Sequence, residues 1–169
     1  MEWPEKIVSV LKANDICSIS FVPDGVIGKT LKIAEKDPYF HFTTLAREEE
    51  GIGIISGEYF GGRYGVLMMQ NAGLGNCVNA LASLAIPYQV PFLILISQRG
   101  ELGEFHACHV TMGRATRKIL DSMGIQHFTL HREDNLETIL NGAIKTAYAS
   151  YQPVAVILPT TLVGWKDEK

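Results

Sequence analysis

Apolar and polar positions alternate along the chain in blocks that are typical of a β–α–β series. Short apolar runs rich in β-branched and aromatic residues have the length of buried strands, and the stretches between them have helical periodicity. The strands are predicted at residues 18–23, 40–45, 64–70, 91–97, 127–130 and 153–159. The helices are predicted at residues 4–14, 26–35, 48–60, 76–86, 113–123 and 135–150. The pattern predicts a three-layer α/β sandwich, with an open, mainly parallel sheet covered by helices on both faces.

Composition and charge narrow the class of protein. The chain has 169 residues, of which 47% are hydrophobic, so we expect a single domain, residues 1–169, with a substantial core. A net charge of −3 does not favour binding to nucleic acid or to an anionic membrane. The start of the chain lacks the features of a signal peptide, and no apolar run approaches the roughly 20 residues of a membrane span. We therefore expect a cytoplasmic protein.

The three cysteines do not suggest a disulfide framework. Cys17, Cys77 and Cys108 are odd in number and far apart in the chain. This pattern predicts reduced thiols, which agrees with a cytoplasmic location.

Unusual loop sequences follow each of the first four long strands. Because the carboxyl ends of parallel strands meet at one edge of a sheet, these loops are expected to converge there, at the usual ligand-binding edge of such folds. The loops are residues 22–25, 47–48, 70–76 and 97–101. None has the spacing of a phosphate-binding loop, so an ordinary nucleotide site is not favoured.

Two of these loops have a structural as well as a functional interpretation. The run Glu48-Glu49-Glu50 suits a helix N-terminus, where each carboxylate contributes about 0.3–1 kcal/mol. The stretch from Gln70 to Asn76 suits a tight strand-to-helix turn, with glycine for backbone freedom and Asn76 as the N-cap. Together, the two stretches also suit half of a site for a flat cofactor, with a carboxylate that addresses a heterocyclic base.

The loop sequences resemble those of a known family. Val-Pro-Asp, Arg-Glu-Glu-Glu-Gly, Met-Gln-Asn-Ala-Gly-Leu-Gly-Asn and Ser-Gln-Arg-Gly-Glu occur here in the order seen in the pyrimidine-binding domain of thiamine diphosphate enzymes. The similarity covers nearly the whole chain, and the chain closely resembles alpha subunits of sulfopyruvate decarboxylases and the related phosphonopyruvate decarboxylases. In that superfamily a glutamate precedes a glycine by nine positions, and Glu48 has this spacing to Gly57. The resemblance implies that Glu48 is the catalytic residue, which hydrogen-bonds the aminopyrimidine of thiamine diphosphate and so activates the cofactor.

The resemblance also assigns cofactor-binding roles within residues 70–76. Gln70 and Asn71 would offer amide groups to cofactor or substrate. Gly73, Leu74 and Gly75 would shape the pocket around the rings. Ala72 stands where many relatives have serine, so a hydroxyl contact from that position is absent here.

Three residues are candidates for contact with the substrate. The resemblance implies that Asp24 faces the reacting carbons, although Pro-Asp-Gly is also an ordinary turn sequence. Arg99 would form a bidentate clamp on a sulfonate, phosphonate or carboxylate, the alternative being a solvated loop charge. His109 would donate a proton or contact the anion, since imidazole titrates near neutrality. The nearby His106 and Cys108 match no zinc spacing, so no metal ligand is expected.

A missing motif completes the expectation. Thiamine diphosphate enzymes hold the diphosphate through a metal ion on a second domain marked by Gly-Asp-Gly, and this chain contains no Gly-Asp-Gly. The resemblance therefore implies a separate beta subunit that holds Mg²⁺ and the diphosphate, in an α2β2 or larger oligomer. The expected reaction is decarboxylation of 3-sulfopyruvate to sulfoacetaldehyde and carbon dioxide. Phosphonopyruvate is the alternative substrate, and a non-catalytic regulatory partner of a decarboxylase is the alternative function.

Overall fold

The computed structural model describes residues 1–164, which form one six-stranded sheet between two layers of helices. The strands are β1 (Ile16–Phe21), β2 (His41–Thr44), β3 (Tyr64–Gln70), β4 (Leu93–Ser97), β5 (His127–Thr129) and β6 (Val154–Leu158). The helices are α1 (Trp3–Ala13), α2 (Ile27–Ala34), α3 (Glu48–Phe60), α4 (Asn71–Ala80), α5 (Ala107–Ser122), α6 (Leu136–Ser150) and α7 (Thr160–Val163). A π-helical turn, Leu81–Ala85, continues α4, and a 3-10 turn, Glu133–Asn135, precedes α6.

The order of the strands determines where a ligand site can form. The order across the sheet is β2-β1-β3-β4-β6-β5, and every neighbouring pair is parallel. The predicted α/β fold class is thereby confirmed. From β1 the chain adds β2 on one side, and from β3 it continues on the other side. The carboxyl ends of β1 and β3 therefore flank the topological switch point, where ligands bind in open sheets of this kind.

The core is divided between the two faces of the sheet by the two-residue period of the strands. In β3, Val66 and Met68 pack with α1, α2 and α6, whereas Leu67 and Met69 pack with α3, α4 and α5. All four side chains are fully buried, so the central strands read as continuous apolar runs. Within residues 1–164, no helix combines the length and the apolar character that a bilayer crossing requires.

Two helices begin earlier than the sequence pattern predicts. α4 starts at Asn71, directly after β3, with Gln70 as an extended N-cap, so Asn76 lies inside the helix and is not its cap. Glycines at 73 and 75 are typical of a loop, but a helix can contain them at a cost of about 1 kcal/mol each relative to alanine. α5 starts at Ala107 and not at residue 113. The prediction was wrong because it placed the helix start at Gly113, which lies inside the helix. His109 therefore lies on the first turn of α5.

The remaining differences concern the ends of elements. β1 begins at Ile16, two residues before the predicted strand, and its register with β3 is irregular between Ile16 and Ser18. The predicted strand at residues 127–130 and the predicted helix at residues 48–60 are found with nearly the same bounds. The short α7 was not predicted, since four residues give no readable period.

Candidate functional site

Side-chain hydrogen bonds tie three strand ends together at the switch point. Asp24, in the loop after β1, accepts from Gln70 Nε2 at the end of β3 (3.1 Å, to Oδ2) and from Ser97 Oγ at the end of β4 (2.9 Å, to Oδ1). The predicted convergence of these loops is thus found. A single carboxylate links β1, β3 and β4 at the ligand-binding edge.

Asp24 also shapes its own loop. Its Oδ1 accepts from the backbone amides of Val26 (2.9 Å) and Ile27 (3.2 Å), just where α2 begins. Burial alone would raise the pKa of Asp24, but the hydrogen bonds from Gln70, the two amides and Ser97 together lower it. The side chain is therefore a carboxylate at neutral pH, and it performs the turn-forming role that the sequence allowed. Its contact with a substrate stays a prediction.

The three adjacent glutamates at the start of α3 have different environments. Glu49 pairs with Arg47 (Nε to Oε1, 2.9 Å), and Glu50 accepts from the backbone amide of Ala46 (3.0 Å), as capping residues do. Glu48 is half-buried and turns towards α4, where Asn76 Nδ2 donates to its Oε2 (2.9 Å). Within residues 1–164, Glu48 Oε1 accepts no hydrogen bond. Of the three, Glu48 alone faces the neighbouring helix with a free acceptor.

Gly73 makes room for Glu48. A methyl group on Gly73 would overlap Cγ, Cδ and Oε1 of the Glu48 side chain, so only glycine leaves room for Glu48 in this position. Gly75, two residues further along α4, is exposed and carries no side chain that would cover the backbone there. Leu74 is fully buried in the core under α4. The predicted cofactor contacts of Gly73, Leu74 and Gly75 stay predictions.

Asn71 holds the loop after β4 against the sheet. Its Oδ1 accepts from the Arg99 amide (3.1 Å), and its Nδ2 donates to the Arg99 carbonyl and to Thr116 Oγ1 (both 3.0 Å). The side chain is 1% exposed and has few positions left for a ligand. Its structural role is therefore clear, and the amide of Gln70, which is half-buried, is the more accessible of the two.

The guanidinium of Arg99 forms a bidentate ion pair within its own loop. Nε and Nη2 donate to the two carboxylate oxygens of Glu104, both at 2.7 Å, and the Glu104 side chain is only 2% exposed. The amides of Gly100 and His106 donate to the same carboxylate, both at 3.0 Å. These bonds, led by those from Arg99, outweigh burial and hold the pKa of Glu104 far below its usual 4.5.

Sequence reasoning missed Glu104. The sequence signal was its position five residues after Arg99, with Gly100 and Gly103 in between. In the structure both glycines have a φ of +80°. Such glycines allow a chain to turn back so that a carboxylate reaches a preceding arginine. The Nη1 atom of Arg99 bonds to no residue in the part of the chain that the structure describes. One edge of the guanidinium is therefore occupied by Glu104, and the Arg99 side chain is 15% exposed.

The loop after β4 packs tightly on α5. A methyl group on Gly100 would overlap the His109 carbonyl, and one on Gly113 would overlap the Gly100 carbonyl. His109 is half-exposed, and its ring lies 6.0 Å from that of His106. Within residues 1–164 no three His, Cys, Asp or Glu side chains cluster closely enough to hold a metal ion.

Gln98 is a second residue that the sequence did not single out. It is 1% exposed, and its Nε2 donates to the carbonyls of Arg99 (3.1 Å) and Gly113 (3.2 Å). Its Oε1 has no partner within residues 1–164, and Gln98 lines a cavity of about 30 Å³ together with Glu104 and Phe105. That volume suits one water molecule.

Comparison with known proteins shows which family the chain belongs to. No family model matches the chain. It is 32% identical to sulfopyruvate decarboxylase subunit alpha of Methanococcus maripaludis, with all of both chains aligned. It is 34% identical to the protein of the same name from Methanocaldococcus jannaschii, over 96% of each chain. It is 31% identical to phosphonopyruvate decarboxylase of Streptomyces viridochromogenes, over 94% of this chain and 40% of that protein. With full-length similarity above 30%, the chain belongs to the family of sulfopyruvate decarboxylase alpha subunits.

Proposed function

We propose that residues 1–169 form a single pyrimidine-binding domain, the alpha subunit of a thiamine diphosphate-dependent decarboxylase that converts 3-sulfopyruvate to sulfoacetaldehyde and carbon dioxide. The supporting observation is Glu48, a half-buried carboxylate beside Gly73 with one free oxygen, in a chain that matches sulfopyruvate decarboxylase alpha subunits over their full length.

The residues around Glu48 fit the aminopyrimidine end of thiamine diphosphate. Asn76 fixes the carboxylate through Oε2, which leaves Oε1 to accept a hydrogen bond from a protonated ring nitrogen. Gly73 leaves room for the Glu48 side chain, and the exposed Gly75 places no side chain beside it that a flat ring would have to displace. When bound, the cofactor supplies the electron sink for the bonding pair that carbon dioxide leaves behind. The protein's part is to orient the ring and hold the proton.

A partner subunit completes the proposed site. The relatives from both methanogens are named as alpha subunits, and the phosphonopyruvate decarboxylase is more than twice as long as the region that matches this chain. The chain also lacks Gly-Asp-Gly. We therefore assign Mg²⁺ and the diphosphate to a separate beta subunit, with the active site at the interface in an α2β2 or larger assembly.

The loops after β1 and β4 are the proposed substrate side. Asp24 is a carboxylate at the switch point, Arg99 Nη1 has no partner within residues 1–164, and His109 lies on the first turn of α5. Arg99 would contact the distal anion through Nη1, and His109 would serve as a proton donor or a second anion contact. Sulfopyruvate is preferred because the full-length relatives are named for it, and phosphonopyruvate is the alternative that the longer relative supports.

Reconstitution tests the proposal. The chain is mixed with its beta partner, thiamine diphosphate and Mg²⁺, and carbon dioxide release is measured with 3-sulfopyruvate, phosphonopyruvate and pyruvate. We expect turnover of sulfopyruvate to exceed that of the other two and to require both chains. The variant Arg99→Lys should raise KM for sulfopyruvate and leave the slow turnover of pyruvate nearly unchanged.

Other results would point elsewhere. A preference for phosphonopyruvate would reassign the substrate. Equal losses of pyruvate and sulfopyruvate turnover in Arg99→Lys would place Arg99 in the fold or at the cofactor. A complex that binds the cofactor without turning over any 2-oxo acid would support the regulatory alternative.

A further inference from the structure

The ion pair between Arg99 and Glu104 changes the charge that a substrate would meet. A free arginine presents a full positive charge, whereas this guanidinium is neutralised by a carboxylate 2.7 Å away on two of its nitrogens. Asp24, on the same edge of the sheet, adds a second carboxylate whose charge also acts on the guanidinium. The net charge of Arg99, Glu104 and Asp24 together is therefore −1, whereas Arg99 alone would carry +1.

Glu104 is built into the loop. Four N–H groups converge on its carboxylate, from the Arg99 side chain and from the backbone of Gly100 and His106, and the side chain is almost completely buried. A substrate anion that displaced Glu104 from Arg99 would leave a buried carboxylate without its cationic partner, which is unfavourable. The substrate must therefore bind with Glu104 in place and reach Arg99 at Nη1.

This charge balance affects the two alternative substrates differently. A sulfonate carries one negative charge at neutral pH. A phosphonate has a second ionisable proton and carries between one and two negative charges near neutral pH. Repulsion from a fixed carboxylate is therefore larger for the phosphonate at the same position, by up to about twofold. Discrimination of this kind comes from a repulsive element beside the attractive one.

We propose that Glu104 is a specificity-determining residue, which neutralises Arg99 so that the site accepts the monoanionic sulfonate and disfavours the dianionic phosphonate. The proposal rests on the proposed function, in that Arg99 contacts the distal anion of the substrate. Arg99 supplies hydrogen bonds through Nη1, and Glu104 sets the charge that accompanies them.

The test compares two substitutions of Glu104 in the complex with the beta subunit, thiamine diphosphate and Mg²⁺. Glu104→Gln removes the charge, and Glu104→Asp keeps it on a shorter side chain. We measure kcat/KM for phosphonopyruvate and for 3-sulfopyruvate, and take their ratio. Glu104→Gln should raise the ratio by roughly tenfold. Glu104→Asp should keep the ratio near that of the wild type even where both rates fall.

A binding measurement provides a second readout that needs no turnover. 3-Sulfopropanoate and 3-phosphonopropanoate lack the reacting ketone, so their inhibition constants report recognition of the anion alone. Glu104→Gln should strengthen inhibition by the phosphonate relative to the sulfonate by a similar factor. Circular dichroism and thermal unfolding verify that each variant is folded.

The outcomes separate this inference from the function on which it rests. An unchanged ratio in a folded Glu104→Gln complex would overturn the specificity role and leave the decarboxylase assignment intact. A shift in Glu104→Asp as large as in Glu104→Gln would also overturn it, because geometry and not charge would then be responsible. A wild-type complex without turnover of either substrate would overturn both proposals.

Discussion

Glu48, Glu49 and Glu50 are adjacent in the sequence, yet the first turn of α3 gives them three different partners. Glu49 is paired with Arg47 and Glu50 caps the helix, whereas Glu48 faces α4. Residue type and helix position predicted only that all three favour an N-terminus. The resemblance selected Glu48 by its spacing, and the geometry supports that choice on independent grounds, namely a free oxygen and a close neighbour without a side chain.

The first prediction concerns Glu48→Gln. The substitution keeps the size and the hydrogen bond with Asn76 but removes the negative charge, so the protonated ring nitrogen is no longer stabilised. Exchange of the cofactor's C2 proton in the reconstituted complex, followed by NMR, should slow by about 10²–10⁴-fold. Glu49→Gln is the matched control and should exchange at nearly the wild-type rate. An unchanged rate in Glu48→Gln would move the catalytic role to another carboxylate.

The second prediction concerns Gly73→Ala. The added methyl overlaps the flexible Glu48 side chain, which can swing away, so the fold should survive while the carboxylate leaves its position. We expect slower C2 proton exchange, by at least about tenfold, with a small change in thermal stability. Gly53→Ala is the control for stability of the lone chain. That glycine lies on the exposed side of α3 with open space around it, and its substitution should stabilise the chain by up to about 1 kcal/mol.

A Gly73→Ala complex with wild-type exchange would show that the overlap is relieved without moving the Glu48 carboxylate. The close contact would then be a packing feature alone. The distinction matters because glycine in the sequence suggested a flexible turn, whereas the structure places Gly73 inside a helix.

At the level of elements, periodicity located nearly every strand and helix but misplaced the starts of α4 and α5. In both cases a glycine inside the helix was interpreted as a boundary. Gly73 is present because a side chain from another helix fills its space, and Gly113 because a loop backbone does. Such reasons depend on tertiary contacts between residues far apart in the chain, and no local pattern records them. The same limit concealed Glu104, whose role depends on how its loop turns.

The third prediction tests the contact between the loop after β4 and α5. A methyl at Gly113 would meet the Gly100 carbonyl, and neither backbone can move freely, so Gly113→Ala should destabilise the chain by about 1–3 kcal/mol. Gly142→Ala, in α6 with nothing nearby, is the matched helical control and should be neutral or stabilising. Urea unfolding of both variants measures the difference. Equal stability of the two would show that the loop adapts at no cost.

At the scale of the whole molecule, the sequence predicted the fold class correctly, because a parallel sheet buried on both faces leaves a strong apolar pattern. The pattern could not predict that Asp24, Gln70 and Ser97 would join at the switch point, although it placed all three at strand ends. The fold brings the proposed cofactor side, at β2 and β3, next to the proposed substrate side, at β1 and β4. Under the proposed function, one edge of the sheet would therefore supply the contacts to the cofactor ring and to the substrate, and the diphosphate site would lie elsewhere.

The last prediction follows from that missing part. The isolated chain should be folded, since residues 1–164 contain a fully buried apolar core. It should bind thiamine diphosphate with Mg²⁺ poorly, because Glu48 would contact only the ring end of the ligand. Calorimetry should show binding to the mixture with the beta subunit that is at least about 100-fold tighter than to this chain alone. At a ligand concentration of 100 times Kd, binding stabilises a folded protein by about 2.7 kcal/mol, so thermal unfolding of the mixture should shift with added cofactor and that of the lone chain should not. Tight binding to the lone chain would refute the division of the site between two subunits, since these 169 residues would then bind the diphosphate themselves.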